Sequence, residues 1–210
     1  MKRYEPESLV AASRYQRYFP TLPADVQTDA YARMHELIEE ERTYCDEGNY
    51  AHMAQILTSI ALYEVLQAHG AGEEEAYRVV SEEMWAFLDP SGMQRLARLP
   101  FFLSLMKKVV PLGFRKGSGA GWRYTWYEGG PKDEFRFECN ECLYAKILGP
   151  RGLMKLGAMC CHADVINYGE LPYTDFIRTQ TLCQGGDKCD FRFVRHATDA
   201  GDGWERSQSM

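Results

Sequence analysis

Apolar residues in the first half of the chain recur at steps of three and four, which is the spacing of one face of an α-helix. The clearest stripe runs through Val26, Ala30, Met34 and Leu37. Glycine or proline residues follow the stripes and are expected to end or kink each helix. Further helices are predicted over 4–19, 50–69, 73–88 and 101–112. The pattern therefore predicts a helical region over residues 1–116.

The period of the pattern changes to two after a glycine-rich run in the middle of the chain. Apolar and polar residues alternate over 122–127 and over 134–139, which is typical of neighbouring antiparallel strands. A hairpin is predicted over 173–193, with Cys183 facing Cys189 across it. The second half therefore contributes about four strands.

Helices are also expected between these strands. Asn140 is a suitable N-cap for a short helix over 141–148, and a longer helix is predicted over 152–168. The fold class predicted is α+β, with a helical N-terminal half packed on a small antiparallel sheet of about four strands with a crossing helix. The expected division is a helical region at 1–116, an α+β region carrying the site at 117–196, and a disordered tail at 197–210.

The composition limits the kinds of binding partner that we expect. The net charge of -6 argues against a nucleic-acid partner, because phosphate binding needs a basic surface. No apolar run long enough for a membrane-spanning helix or a secretory signal is present, so neither is expected. Seven cysteines without such a signal indicate reduced thiols in the cytoplasm. We expect a small-molecule substrate, no cofactor and no membrane partner, with a homodimer as an open alternative to a monomer.

One segment offers a second interpretation. The apolar helix predicted over 101–112 lies beside Lys107, Lys108, Arg115 and Lys116. A helix on a membrane surface would have this composition. A core helix that leads into a basic loop also accounts for it, and we favour the core helix because the basic cluster is small.

Six of the seven cysteines lie between Phe135 and Phe193, so we expect any chemistry there. Cys139 would lie just outside the N-terminus of the helix predicted at 141–148. The helix dipole favours a thiolate at that position and would lower the thiol pKa. The alternative is that Cys139 is a small buried residue that ends a strand.

Asp164 is the second candidate. On the helix predicted over 152–168 it falls within the apolar surface, with Cys160 and Cys161 four and three residues before it. A carboxylate on an apolar face must be paired, hydrogen-bonded or protonated, and such groups are candidate active-site residues. The alternative is an aspartate that accepts hydrogen bonds from backbone amides of a neighbouring loop.

Metal binding is only weakly indicated. Cys139 and Cys142 form one CxxC pair, but no second pair follows, and structural zinc usually has two paired sets of ligands. We therefore expect no metal. A cysteine nucleophile with an aspartate to move the proton is chemically coherent, because a thiolate can attack an electrophilic carbon while an acid protonates the departing atom.

The residues of this region resemble a known family. The run formed by Cys139, Cys161-His-Ala-Asp164, Arg178-Thr-Gln-Thr181 and Gly185-Gly-Asp-Lys-Cys189-Asp-Phe-Arg-Phe193 resembles the L-2-amino-thiazoline-4-carboxylic acid hydrolase family. The closing part is also similar to the 4-vinyl-reductase type of small ligand-binding domain. The first resemblance implies hydrolytic opening of a cyclic amidine to an N-carbamoyl cysteine. It carries over Cys161, Asp164 and Cys189, and leaves Cys142, Cys160 and Cys183 as additional thiols.

The sequence therefore predicts a hydrolase that opens a C–N bond of a 2-amino-thiazoline-4-carboxylate-like compound to give an N-carbamoyl amino acid. Cys161 or Cys139 is the predicted nucleophile and Asp164 the predicted acid and base. Substrate contacts are predicted for Thr181 as an orienting hydroxyl, for Cys189, and for Trp122 and Tyr124, which would wall the pocket or belong to the core. The alternative is a non-catalytic small-ligand or metal-sensing module of the 4-vinyl-reductase type.

Overall fold

The structure is a computed structural model that describes residues 4–196. Within this range the chain forms eight α-helices and one four-stranded antiparallel sheet, which confirms the α+β class. The predicted tail at 197–210 lies outside the described residues. The helices are α1 (Pro6–Ala12), α2 (Ala24–Glu40), α3 (Tyr50–Ala68), α4 (Glu73–Ala86), α5 (Ser91–Ala97), α6 (Phe102–Gly117), α7 (Leu143–Leu148) and α8 (Met154–Tyr168). The strands are β1 (Arg123–Trp126), β2 (Glu134–Glu141), β3 (Thr174–Ile177) and β4 (Cys189–Arg195).

The chain divides into two compact units. The first contains α1 to α4 and the short segment Gly117–Ala120. Its central helix is α3, in which Met53, Ile56 and Ile60 are fully buried. Asn49 holds the short segment, because its side-chain amide donates to the Ala120 carbonyl at 2.8 Å and its oxygen accepts from the Gly119 amide at 2.9 Å.

The second unit contains α5, α6, the sheet, α7 and α8. This division differs from the predicted boundary between residues 116 and 117. It assigns residues 88–116 to the sheet-containing unit, because Phe102, Leu103 and Met106 of α6 pack into the same core as the strands. Within residues 4–196, no helix is long and apolar enough to cross a membrane.

The sheet has the strand order β1-β2-β4-β3. β2 and β4 pair so that Phe135 lies opposite Phe193, Phe137 opposite Phe191 and Cys139 opposite Cys189. Residues directly opposite each other share a face, so these six side chains line one surface of the sheet.

Four phenylalanines lie together in the hydrophobic core of the sheet-containing unit. We call them the aromatic cluster: Phe135, Phe137, Phe176 and Phe193. None of the four is more than 4% exposed. Their rings lie within contact of one another, with centroids 5.9 Å apart for Phe135 and Phe193 and 5.2 Å apart for Phe176 and Phe193. Burial of each such ring contributes about 1.5–3 kcal/mol to folding. This cluster joins β2, β3 and β4 through ring contacts.

The predicted hairpin register is wrong by three residues. A pairing of Cys183 with Cys189 implies that Thr179 faces Phe193, but Phe176 lies opposite Phe193. The strand ends at Ile177 because the Asp190 carboxylate accepts the amides of Thr179 and Gln180 at 2.9 and 2.8 Å, so these groups do not join the strand ladder. The chain then forms a 3₁₀ turn at Leu182–Gln184, which carries Cys183.

Candidate functional site

Five cysteines meet at the end of the sheet away from the aromatic cluster. We call them the thiol cluster: Cys139, Cys142, Cys161, Cys183 and Cys189. They come from β2, the residue before α7, α8, the 3₁₀ turn and the first position of β4. Each is at most 9% exposed, and all are free thiols. The fold therefore assembles in one place five sulfur atoms that are spread over 51 sequence positions.

The thiols adjoin one another in a line. Cys139 lies next to Cys142 and Cys189, and its thiol donates to the Glu141 carbonyl at 3.1 Å. Cys183 lies next to Cys142 and Cys161. The Leu182 amide donates to Cys189 Sγ at 3.3 Å. Cys142 therefore occupies the middle position, between Cys139 and Cys183.

Cys142 is the thiol that the site favours as a thiolate. Its pKa lies well below the usual thiol value, chiefly through its interactions with the neighbouring thiols of Cys139 and Cys183. The backbone amides of Ala145 and Tyr144, in the first turn of α7, lower its pKa further, against the effect of burial. The pKa of Cys189 is also lowered, first by its interaction with Cys139.

The predicted low pKa of Cys139 is wrong. Its pKa is raised by its interactions with Cys142 and Cys189, which favour the protonated form, and by the burial of its side chain. The predicted helix start was too early by two residues: β2 runs to Glu141 and α7 begins at Leu143, so Cys142 and not Cys139 adjoins the N-terminus of the helix. The pKa of Cys183 is raised for the same reason, through its interactions with Cys142 and Cys161.

Asp164 is paired with a buried arginine. Its carboxylate accepts from Arg178 Nη1 at 2.9 Å, and Arg178 Nη2 donates to the Cys161 carbonyl at 3.0 Å. The Arg178 side chain is 3% exposed and that of Asp164 is 34% exposed. Arg178 Nε is buried without a hydrogen-bond partner among the described residues. Pairing was one of the three states predicted for Asp164, and Arg178 connects it to the thiol cluster.

Most of the other residues predicted for the site lie near the thiol cluster. Trp122 and Tyr124 stack with ring centroids 5.9 Å apart and both pack against the thiol cluster. Tyr144 contacts Trp122 edge-on at 5.5 Å. Thr181 is buried, but its hydroxyl donates to Gln184 Oε1 at 2.8 Å, so its proton is used within its own turn. Cys160 is buried outside the cluster.

Sequence reasoning missed Cys142 and Arg178 as site residues. A signal for Cys142 was present, since the CxxC spacing put one thiol at the start of the predicted helix, but the wrong helix boundary assigned that place to Cys139. Arg178 was expected to alternate within a strand. It lies just after the end of β3 at Ile177, which the strand pattern does not show.

Metal-binding groups and surface clefts are the other possible kinds of site beside the thiol cluster. Within residues 4–196, no group of three or more His, Cys, Asp or Glu side chains is placed to hold a metal ion. A cleft of about 220 Å³ lies at the turn between β1 and β2 and contains none of the predicted site residues. It is lined by Tyr127, Glu128, Gly129, Gly130, Glu134 and Arg136.

A family model described as L-2-amino-thiazoline-4-carboxylic acid hydrolase matches residues 49–193, which is more than half of the chain. The chain belongs to the L-2-amino-thiazoline-4-carboxylic acid hydrolase family. The match confirms the resemblance and extends it, because it begins at the start of α3 and not only in the C-terminal half. The thiol cluster, Asp164 and Arg178 all lie inside the matched residues. Neither the comparison with curated proteins nor the comparison with solved structures found a match.

Proposed function

We propose that this protein hydrolyses a small cyclic amidine of the 2-amino-thiazoline-4-carboxylate type to an N-carbamoyl amino acid, with Cys142 as the nucleophile. The family supports a hydrolase. The observation that carries the choice of nucleophile is the position of Cys142 at the N-cap of α7 and inside the thiol cluster, where the neighbouring thiols and the first-turn amides lower its pKa. A thiolate present at neutral pH is the form of cysteine that attacks carbon.

The product determines which bond breaks. In N-carbamoyl cysteine both nitrogens of the amidine remain on the former C2 carbon, and the sulfur is a free thiol. The ring bond that opens is therefore C2–S, which corrects the expected C–N cleavage for this product. Opening the ring C–N bond would give S-carbamoyl cysteine instead, and loss of the exocyclic nitrogen would give a 2-oxothiazolidine and ammonia.

The proposed reaction has two halves. In the first, Cys142 Sγ attacks C2, the ring nitrogen takes a proton, and the C2–S bond breaks to leave an isothiourea on Cys142. In the second, water adds to that carbon and Cys142 leaves as the thiolate. The water oxygen becomes the carbonyl oxygen, and its two hydrogens end on the former ring nitrogen and the product thiol. One thiolate replaces another in the first half, so attacking and leaving groups are matched in basicity.

The neighbouring groups have distinct proposed roles. Cys139 and Cys183 adjoin Cys142 and would stabilise its thiolate between turnovers. Arg178 is the cation beside the thiol cluster and would attract the substrate carboxylate. Asp164, its ion-pair partner, would pass protons to the leaving sulfur. Because no thiol of the cluster is more than 9% exposed, we propose that Trp122 or Tyr144 moves aside to admit the substrate.

The test is turnover of L-2-amino-thiazoline-4-carboxylate by the purified protein, with the products separated and identified by mass. Cys142→Ser is expected to reduce kcat by more than about a thousandfold. Cys139→Ser and Cys161→Ser should reduce it less. Cys45→Ser, which changes a thiol of the first unit, serves as the matched control.

Three results would count against the proposal. Full turnover by Cys142→Ser with loss in Cys161→Ser would return the nucleophile to Cys161. S-carbamoyl cysteine as product would restore C–N cleavage. Binding of cyclic amidines without any turnover by the unmodified protein would favour the non-catalytic ligand-binding alternative.

A further inference from the structure

The segment that contains α5 and α6 has a charge opposite to that of the whole chain. Residues 91–126 include seven lysines and arginines and no aspartate or glutamate, whereas the net charge of the protein is -6. The seven are Arg95, Arg98, Lys107, Lys108, Arg115, Lys116 and Arg123. A cationic segment in an acidic protein favours an anionic partner at that position.

The same segment carries most of the exposed apolar surface. Among the described residues, six large hydrophobic side chains are exposed, and all except Tyr127 lie here. They are Leu96 (43%), Phe101 (55%), Leu105 (38%), Val109 (53%) and Leu112 (52%). The last four follow steps of four, four and three, so they form one stripe along α6, which we call the outer stripe.

The opposite side of α6 is already used for packing. Phe102, Leu103 and Met106 are buried in the core that contains the aromatic cluster. The sequence offered a core helix and a membrane-surface helix as alternatives, and the structure shows the core helix on this inner side. The outer stripe remains exposed, and a helix that is apolar on both sides is normally covered on both.

Cations adjoin the outer stripe. At about 100° per residue, Lys108 and Arg115 lie within about 40° of Phe101 around the helix axis, and Lys116 lies at the C-terminal end of the stripe. All three are exposed, and within residues 4–196 none of them forms an ion pair. Long cationic side chains next to an apolar stripe can lay their stems on it and extend their charges toward phosphate groups.

We propose that the outer stripe docks on the surface of an anionic membrane. Phe101, Leu105, Val109 and Leu112 would enter the boundary between headgroups and acyl chains, and Lys108, Arg115 and Lys116 would meet lipid phosphates. Large apolar residues on one side with only cations beside them are the composition of an interfacial helix. A second copy of this chain fits less well, because two outer stripes facing each other would bring their cations together.

The experiment is co-sedimentation of the full chain with vesicles of phosphatidylcholine alone and with vesicles that also contain phosphatidylglycerol. We expect at least about tenfold tighter binding to the anionic vesicles, and binding that weakens as salt is raised. Lys108→Gln should weaken anionic binding about fivefold. Val109→Asn should also weaken it, since the apolar contact is lost.

Lys132→Gln is the matched control, because it removes the same charge from an exposed position outside the segment. It should bind as the unmodified protein does. Circular dichroism and thermal unfolding should be unchanged in all three variants, since the altered side chains are exposed. Equal binding to both vesicle types, or unchanged binding by Lys108→Gln and Val109→Asn, overturns the proposal. Binding to polyglutamate without binding to anionic vesicles would overturn it in favour of an acidic protein partner.

Discussion

The two ends of the β2–β4 pair differ in what they bury. At one end Phe135 lies opposite Phe193, and at the other Cys139 lies opposite Cys189, on the same face of the same two strands. Phe137 and Phe191 stand between them, with parallel rings whose centroids are 4.5 Å apart. One continuous register thus connects the aromatic cluster with the thiol cluster.

The difference lies in what holds each end together. The aromatic cluster is stabilised by buried apolar area and ring contacts, which have little dependence on pH. The thiol cluster consists of sulfur atoms whose interactions depend on which of them carries each proton. The aromatic end therefore supplies rigidity, and the thiol end has the groups whose ionisation can serve chemistry.

The largest effect is expected at the aromatic end. Phe193→Ala removes a ring that is 1% exposed and should lower the free energy of unfolding by about 3–5 kcal/mol. Cys189→Ala, on the same strand at the other end, should cost about 1 kcal/mol because it removes a single sulfur. Urea denaturation of both variants provides the comparison. Similar losses in the two would mean that the ends do not differ as described.

The second-largest effect is expected from breaking the ion pair between Asp164 and Arg178. Asp164→Asn leaves a guanidinium that is 3% exposed without its carboxylate, which should cost about 2 kcal/mol, less than a fully buried pair because Asp164 is one-third exposed. The double variant Asp164→Leu/Arg178→Met removes both charges and should be more stable than Asp164→Asn. If the double variant is less stable than Asp164→Asn, then the loss of stability in Asp164→Asn does not come from leaving the Arg178 charge unpaired.

Much of this arrangement follows from the periodicity of the sequence. The steps of three and four in α2 and α3 and the alternation in β1 and β2 predicted the α+β class. The same alternation puts Cys139 on the face of Phe135 and Phe137. These patterns are local, because the side chains that share a face are close together in sequence.

The parts that were missed depend on distant partners. The register of β3 depends on Asp190, which takes the amides of Thr179 and Gln180 from across the hairpin. The thiolate was assigned to Cys139 because β2 was expected to end two residues earlier than it does. Arg178 is buried because Asp164 and the Cys161 carbonyl receive it, and neither is near it in sequence.

A smaller effect is expected from a glycine that contacts the thiol end. A Cβ at Gly157 of α8 would lie 2.5 Å from Cys183 Sγ and 2.9 Å from its Cβ. Gly157→Ala should therefore destabilise the protein by about 1–3 kcal/mol and displace Cys183. Gly113→Ala in α6 is the control, because nothing lies within 4 Å of its Cβ position and alanine favours the helix by about 0.5–1 kcal/mol. If thermal unfolding shows both variants stabilised, α8 and the Cys183 turn are less tightly packed than the structure indicates.

The smallest effect, counted over one pH unit, is a pH dependence specific to the thiol end. Since the pKa of Cys142 is lowered on folding, its thiolate adds stability above the usual thiol pKa of about 8.5, and this stability is lost as the pH falls below that value. The stability difference between the unmodified protein and Cys142→Ser should shrink by up to about 1.4 kcal/mol per pH unit from pH 8.5 downward. Cys45→Ser is the control, since burial raises the pKa of Cys45 to about 11 and its stability difference should stay flat in this range. Urea midpoints measured at several pH values, with thiolate absorbance at 240 nm, provide the test, and equal slopes for the two variants would place the thiolate elsewhere.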